Sequence, residues 1–322
     1  MWSFPLFPES ASTLSGRVDA VYFVVIGISI FFTALIALLV TFFAIRYRKG
    51  SDVDRSHPVS HNIKLELLWI VGPLGIVMVI FVLGMQVFFE MFNPPKNASD
   101  IYVVGKQWMW KVRHPQGRSE INEIHLPAGK PVRLLMTSQD VIHSFYIPAF
   151  RMKQDVLPGR LTSAWFEPTK PGRYHLFCAE YCGTDHSRMG GWAVVMEPAE
   201  YEKWLKGPNG DGSDSRPTMA SEGARLFEKY HCTGCHGENS EFRAPKLAGV
   251  YGGQVPVMDG KDVTFVTADD MYIRDSILLP KSKVVAGFEP VMPSYQDVLK
   301  EDELLQIMEY IKSIGRKEGT AK

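Results

Sequence analysis

The densest group of metal-seeking side chains is Cys178-Ala-Glu-Tyr-Cys182-Gly-Thr-Asp-His186-Ser-Arg-Met189. Two thiols, an imidazole and a thioether lie on one short stretch. Soft sulfur ligands with imidazole suit copper or zinc rather than magnesium or calcium, and a thioether favours copper. Two cysteines four apart on one loop can bridge two copper ions, and each copper then needs a further nitrogen. His186 offers one. The second must come from elsewhere, and His143 in Asp140-Val-Ile-His-Ser-Phe145 is the best candidate. It precedes a strand, where an adjacent loop of a β-sandwich would supply it. A local Cys178–Cys182 disulfide, permitted in an oxidising compartment, and a zinc site are the alternatives. His57, His61, His114, His125, His175 and His231 read as surface or packing histidines.

A second constellation is Cys232-Thr-Gly-Cys235-His236, the attachment pattern of a c-type haem. Both thiols add to the haem vinyl groups, and the adjacent imidazole binds iron. A zinc site would need a second ligand pair, and the chain has only four cysteines in all. A thioredoxin-type motif would need a βαβ setting that the surrounding pattern lacks. The opposite axial ligand should be methionine or histidine, and no histidine follows His236. Met271 and Met308 fall in helical patterns as core residues. Met292 sits in Pro290-Val-Met-Pro293, a rigid loop able to hold a thioether over the haem face, with Met258 as the second candidate.

These groups must be positioned by a chain of 322 residues, long enough for two or three domains. Lys+Arg and Asp+Glu both number 35, so there is no basic footprint for nucleic acid. The apolar residues are unevenly spread. Ala20 to Ile45 is 26 residues without a formal charge, and Leu67 to Phe89 is 23 more. At about 1.5 Å per residue, each outreaches a hydrocarbon core of roughly 30 Å. Only a helix satisfies its own backbone there. The segment 46–66 carries Arg46, Arg48, Lys49, Arg55 and Lys64, whereas residues 1–19 carry only Arg17 beside Glu9 and Asp19. The positive-inside rule places that loop in the cytoplasm and both termini outside. The first run lacks a basic n-region and is too long for a cleaved signal peptide.

Residues 100–197 read as β-structure. Val132–Thr137, Leu161–Phe166, Arg173–Phe177 and Trp192–Met196 are short runs bounded by Pro, Gly and Asp, a spacing that suggests a sandwich or barrel. Pro198–Leu205 reads as one short helix. The segment 206–217 is a linker by composition. As a flexible coil it spans roughly 20 Å, which keeps the last domain close to the sandwich without fusing the two rigidly. From 218 the pattern becomes helical. Ser221 can cap a helix to about Tyr230, and Glu301 to Ile314 carries a stripe of Leu304, Leu305, Ile307, Met308 and Ile311.

Two membrane helices, an outer β-domain and Cys-x3-Cys-x3-His-x2-Met together resemble subunit II of cytochrome c oxidase over roughly residues 20–200. The resemblance implies a cupredoxin-like domain holding the dinuclear copper A centre. Cys178 and Cys182 would bridge the coppers, His143 and Met189 would bind one, and His186 with the Glu180 backbone carbonyl would complete the other. The Glu180 side chain resembles a glutamate that also reaches a magnesium at the boundary with subunit I. Gln107-Trp108-Met109-Trp110 resembles the family's aromatic patch, with Trp108 near the surface where electrons enter. An edge-strand aromatic pair is the plainer reading. Asp140 resembles a surface acid of that region, or heads an Asx turn. Glu66-Leu-Leu-Trp69 resembles the glutamate at the mouth of a proton-uptake pathway into subunit I. A helix-end charge is the alternative.

The last domain resembles a class I cytochrome c. The expected architecture is a multidomain membrane protein. A two-helix transmembrane hairpin lies within 1–95, a cupredoxin-like β-sandwich at 96–205, a flexible linker at 206–217 and an all-α cytochrome c domain at 218–322. It implies a bacterial inner-membrane subunit with both metal domains on the outer face. Subunits I and III, an external electron donor and membrane lipid would be its partners. The two helices contain no histidine set for oxygen chemistry, so oxygen would be reduced elsewhere. A free-standing membrane-anchored electron carrier is the rival reading. A copper chaperone is a third, and the covalent haem argues against it.

Overall fold

The computed structural model describes residues 7–54, 56, 61–207, 217–237, 244–260 and 262–315. Two long helices come first, α1 (Ser15–Arg46) and α2 (Ile63–Phe92). Both exceed the charge-free runs, because a helix continues until its backbone meets a cap. Asn62 supplies that cap for α2, its side chain accepting from Leu65 N at 3.2 Å. Neither helix buries its apolar stretch within the chain, and by length and composition both can cross a membrane.

The N-terminal end of α1 and the C-terminal end of α2 are tied to each other and to the next domain. Arg17 pairs with Glu90, and Trp165 Nε1 donates to Glu90 O at 2.9 Å. Arg151, in the left-handed region, forks onto Asp19 at 2.7 and 3.0 Å and donates to the Pro8 carbonyl. Ala11 of the tail is fully buried in the sandwich core.

Ten strands form two sheets: β1 (Ser99–Lys106), β2 (Met109–Arg113), β3 (Ser119–Ile121), β4 (Glu123–Pro127), β5 (Val132–Ser138), β6 (His143–Ile147), β7 (Met152–Val156), β8 (Thr162–Phe166), β9 (Gly172–Cys178) and β10 (Gly190–Met196). One sheet has the order β3-β2-β1-β5-β8 and the other β4-β10-β9-β6-β7. The β1–β5 and β10–β4 pairs are parallel, and the remaining pairs are antiparallel. Inward residues of both sheets, among them Ile101, Val103, Trp110, Leu134, Met136, Phe145 and Leu176, make one core. Helix α3 (Pro198–Lys206) closes the domain. Its Trp204 stacks on His125, with ring centroids 4.3 Å apart, and Tyr201 OH lies 3.1 Å from His114 Nδ1. The Glu120 carboxylate is shared by His114 and His125, so both histidines fasten this corner.

The C-terminal domain contains α4 (Met219–Lys229), α5 (Thr233–His236), β11 (Gln254–Asp259), β12 (Asp262–Thr267), α6 (Asp270–Leu278) and α7 (Glu301–Ser313). It is helical, as expected, with one addition: β11 and β12 pair as an antiparallel hairpin. The α4 cap also differs. Thr218 accepts from Ser221 N at 3.1 Å, so Ser221 lies inside the helix. Leu304, Leu305, Ile307, Met308 and Ile311 of α7 are buried as a stripe. Most of the linker, residues 208–216, lies outside the described residues.

Candidate metal and haem sites

His143 opens β6, Cys178 ends β9, and Cys182, His186 and Met189 lie on the loop from β9 to β10. The topology brings them to one end of the sandwich, because β6 and β9 pair with Phe145 opposite Cys178. Cys178 Sγ lies 3.8 Å from Cys182 Sγ, 4.0 Å from His143 Nδ1 and 3.3 Å from the Glu180 carbonyl oxygen. Cys182 Sγ lies 3.5 Å from His186 Nδ1 and 3.6 Å from Met189 Sδ. Both cysteines are free and buried, and 3.8 Å is far beyond an S–S bond of about 2.0 Å. All six donors of the sequence reading therefore face one small volume.

The electrostatics favour a cation there. Burial opposes ionisation of Cys178. The hydrogen bonds from His143 and the Ser144 and Glu180 backbone outweigh it and bring the thiol to about 6. Burial, and then the neighbouring Cys178 sulfur, push Cys182 up to about 12. Two thiolates this close cannot both ionise unaided. A metal that bridges them removes that conflict, and soft donors with imidazole fit copper. The donor set therefore fits copper.

The surroundings hold the ligands in place. His143 is fully buried, and its Nε2 lies 2.8 Å from Asp140 Oδ1. That partner leaves Nδ1 turned to the sulfurs, as a carboxylate does behind a metal-binding imidazole. Asp140 also accepts from Gln107 N and Val141 N, both at 2.7 Å. Burial opposes ionisation of Asp140, but these N–H groups and His143 hold its carboxyl below the usual carboxylate range. At Gly105 a side chain would bring its Cβ within 2.9 Å of His143 Cδ2. Gly183 has φ +117°, and a Cβ there would lie 2.9 Å from Gln107 Nε2.

Trp108 lies in the turn between β1 and β2 rather than on an edge strand. It donates from Nε1 to Cys182 O at 3.2 Å, and Gln107 Nε2 donates to the same oxygen at 2.8 Å. Half-buried Trp108 thus joins the surface to a ligand's own backbone. The sequence reading missed Gln107 as a support. Its only signal was its place beside Trp108. The Glu180 side chain is exposed. Glu66 sits far from this site in the first turn of α2, where Oε1 accepts from Asn62 N at 3.3 Å and lies 2.7 Å from His61 Nδ1.

The second site is an apolar cavity in the C-terminal domain. Cys232, Cys235 and His236 line it, with Phe227, Leu247, Ile273, Tyr295 and Met292. His236 Nδ1 donates to the Pro245 carbonyl oxygen at 3.1 Å, which leaves Nε2 as the unprotonated nitrogen suited to iron. Burial depresses the His236 basicity, and this keeps the ring neutral for ligation. Such a lining suits a flat, largely apolar macrocycle. Met292 shares the cavity with His236, whereas Met258 is half-exposed on β11 and does not line it. Met308 is fully buried in the core. Met292→Ala is therefore expected to keep the haem covalently attached and to shift its potential, because the axial ligand tunes it. Redox titration with an optical spectrum checks this. An unchanged potential and spectrum would remove Met292 as a ligand.

Comparison with known proteins finds two family models along the chain. Residues 117–197 match the family model for the periplasmic domain of cytochrome c oxidase subunit II, and residues 220–315 match that for cytochrome c. The chain is 29% identical over 299 residues to cytochrome c oxidase subunit 2 of Alkalihalophilus pseudofirmus, covering 89% of this chain and 85% of that one. It is 29% identical over 207 residues to an alternative cytochrome c oxidase subunit 2 of Bradyrhizobium diazoefficiens, covering 54% and 74% of the two chains. Among solved structures, it is similar to the periplasmic domain of cytochrome oxidase subunit II of Bradyrhizobium japonicum. The identity is 34% and the TM-score 0.34, with 35% of this chain and 95% of that one covered.

Proposed function

Since the chain belongs to the subunit II family of cytochrome c oxidases and carries a cytochrome c domain at its C-terminal end, we propose that it is where electrons enter a proton-pumping haem–copper oxidase. They pass from an external donor through haem c to dinuclear copper A and on to subunit I, where oxygen is reduced to water. The observation that carries this reading is that one membrane-anchored chain holds two separate donor sets, one of soft sulfur and imidazole and one of the haem-attachment type. When bound, the copper pair and the haem supply the one-electron chemistry that side chains lack.

The chain's own residues hold and insulate those groups. Cys178 and Cys182 would supply the thiolates that hold copper. His143 with Met189, and His186 with the Glu180 carbonyl, would complete the donor set. Asp140 fixes the His143 ring through the 2.8 Å contact. Burial of both sulfurs and of Met189 excludes water, which limits the reorganisation that accompanies a change of charge. Cys232 and Cys235 would attach the haem, and His236 and Met292 would ligate its iron. Trp108 would be where electrons cross the surface, and the Glu180 carboxylate would hold a magnesium together with subunit I. The 46–66 loop faces the cytoplasm, and both metal domains face outward. Subunit III, a second integral partner, and lipid complete the surroundings.

Purification of the membrane complex tests this reading. A large many-helix haem–copper subunit should co-purify, with two coppers and one covalent haem per copy of this chain. Isolation of the fully loaded chain with a different reductase would establish the free-standing carrier instead. Glu66 is assigned to proton uptake at the cytoplasmic end of α2. Glu66→Gln should slow oxygen turnover of the assembled complex with copper and haem contents unchanged. Wild-type turnover in that variant would leave Glu66 only its helix-end contacts.

A further inference from the structure

The outer face of the β3-β2-β1-β5-β8 sheet is covered by the C-terminal domain. Along β1, Ile101 and Val103 enter the sandwich core, while Tyr102 and Val104 join the core that contains α4, α6 and α7. On β5, Leu134 and Met136 point inward and Leu135 outward, again into that second core. Charges are sealed into the same seam. Lys312, in the last turn of α7, has a side chain only 3% exposed. Its Nζ lies 2.8 Å from Asp100 Oδ2, 2.9 Å from Tyr102 OH, 3.1 Å from Asp270 Oδ1 and 3.5 Å from Glu309 Oε2. Arg133 forks onto Asp100 at 2.7 and 2.8 Å and reaches Asp270 and Tyr251 OH, each at 3.3 Å. Asp100, Tyr102 and Arg133 come from the sandwich. The other partners come from the C-terminal domain.

We propose that this network seats the haem domain in one fixed orientation on the copper domain, so that the chain carries its donor and acceptor as a preassembled pair. A buried ammonium is unfavourable unless its partners are in place, and Lys312 has Asp100 and Tyr102 only when the two domains are docked. Ionic partners of this kind fix register, because a shifted seat strands a charge. A second set of contacts lies at the other end of α7. Asp302 Oδ2 lies 3.4 Å from both Lys111 Nζ and Gln139 Nε2, and Glu301 accepts from Thr137 Oγ1 at 3.5 Å. Gln139 precedes Asp140, which holds His143. On the haem side, Glu303 accepts from Tyr230 OH at 3.1 Å, two residues before Cys232. One helical turn therefore touches the supports of both metal sites. The loose tether suggested by the linker composition gives way to a docked domain. Its consequence for electron flow rests on the proposed relay, but the docking itself does not.

The test uses the full detergent-solubilised chain with a specific protease site placed within 208–216. After complete cleavage, the haem-bearing fragment should still co-elute with the copper-bearing fragment at ordinary salt. Lys312→Met and Arg133→Met, one from each domain, should each weaken that association on the order of a hundredfold, with haem spectrum and copper content unchanged. Separation of the wild-type fragments on cleavage would overturn the proposal, as would retention in both variants equal to wild type. Where a variant loses haem or copper, linker lengthening by about twenty Gly/Ser residues in the unaltered domains decides. A docked pair keeps its haem-to-copper transfer rate, whereas a tethered pair slows as the effective concentration falls. Fragments that stay together yet exchange no electrons would refute the relay and leave the docking standing.

Discussion

Cys182→Ser is expected to strip copper from the chain and abolish oxygen uptake by the assembled complex, while haem c remains bound at full occupancy. The sulfur it removes lies at the centre of the site, within 3.5–3.8 Å of Cys178, His186 and Met189. A hydroxyl is a hard, neutral donor and cannot replace a bridging thiolate. Cys178 alone then leaves His186 and Met189 without a common partner. The haem-attachment pair Cys232 and Cys235 lies in another domain, which the substitution does not touch. Copper analysis, haem absorbance and oxygen uptake together check the prediction. Retention of both coppers in the variant would remove Cys182 as a bridge. Zinc in place of copper in the wild-type chain would refute the copper reading altogether.

Truncation after Leu205 is expected to have the second largest effect. All copper ligands lie between His143 and Met189, so copper should remain. Oxygen uptake from the natural donor should fall sharply, because the haem that receives its electrons is gone. A small artificial reductant that reaches the copper site directly should be much less affected. The structure adds a cost. Tyr102, Val104 and Leu135 lose their cover, and Asp100 and Arg133 lose Lys312 and Asp270. The truncated complex should therefore also be less heat-stable, and uptake should be compared at equal copper content. Equal slowing with both donors would show that the deletion damages the copper domain or its assembly. No slowing with the natural donor would show that electrons bypass the haem.

The convergence of Cys178, Cys182, His186 and Met189 was legible because they share one connection and their types speak for themselves. His143, which joins them, was reachable by counting the nitrogens that a copper pair would need. The haem motif was equally local. Non-local partnerships were not legible. Asp140 could be read as a surface acid or an Asx turn. Its place behind the His143 ring, three residues on, is fixed by Gln107 N from the β1–β2 turn, which no local pattern announces. Thr218 outcompetes Ser221 as a cap because the chain approaches α4 one turn earlier. The β11–β12 hairpin carried a signal in Asp259-Gly260 after a Val255–Val257 alternation, but the flanking helical pattern obscured it.

The docked face left a signal too. A sheet with one wet face alternates apolar and polar residues, whereas a sheet covered on both faces does not. Ile101-Tyr102-Val103-Val104 and Leu134-Leu135-Met136 are unbroken apolar runs. Their second face needed a cover, and the composition of the linker drew attention away from it. Lys312 was unreadable because a lysine near a helix C-terminus is ordinarily solvated and favours the helix dipole there. Its burial depends on Asp100, more than two hundred positions away.

In the proposed relay, electrons pass from haem c to copper A on the way to oxygen. Rapid injection of a single electron into the haem of the assembled complex, with haem and copper absorbance followed together, tests it most directly. The haem should reoxidise as the copper centre becomes reduced, at a rate independent of protein concentration, and Cys182→Ser should leave the haem reduced. Haem reoxidation that proceeds unchanged in Cys182→Ser, or that scales with protein concentration in the wild type, would contradict the account.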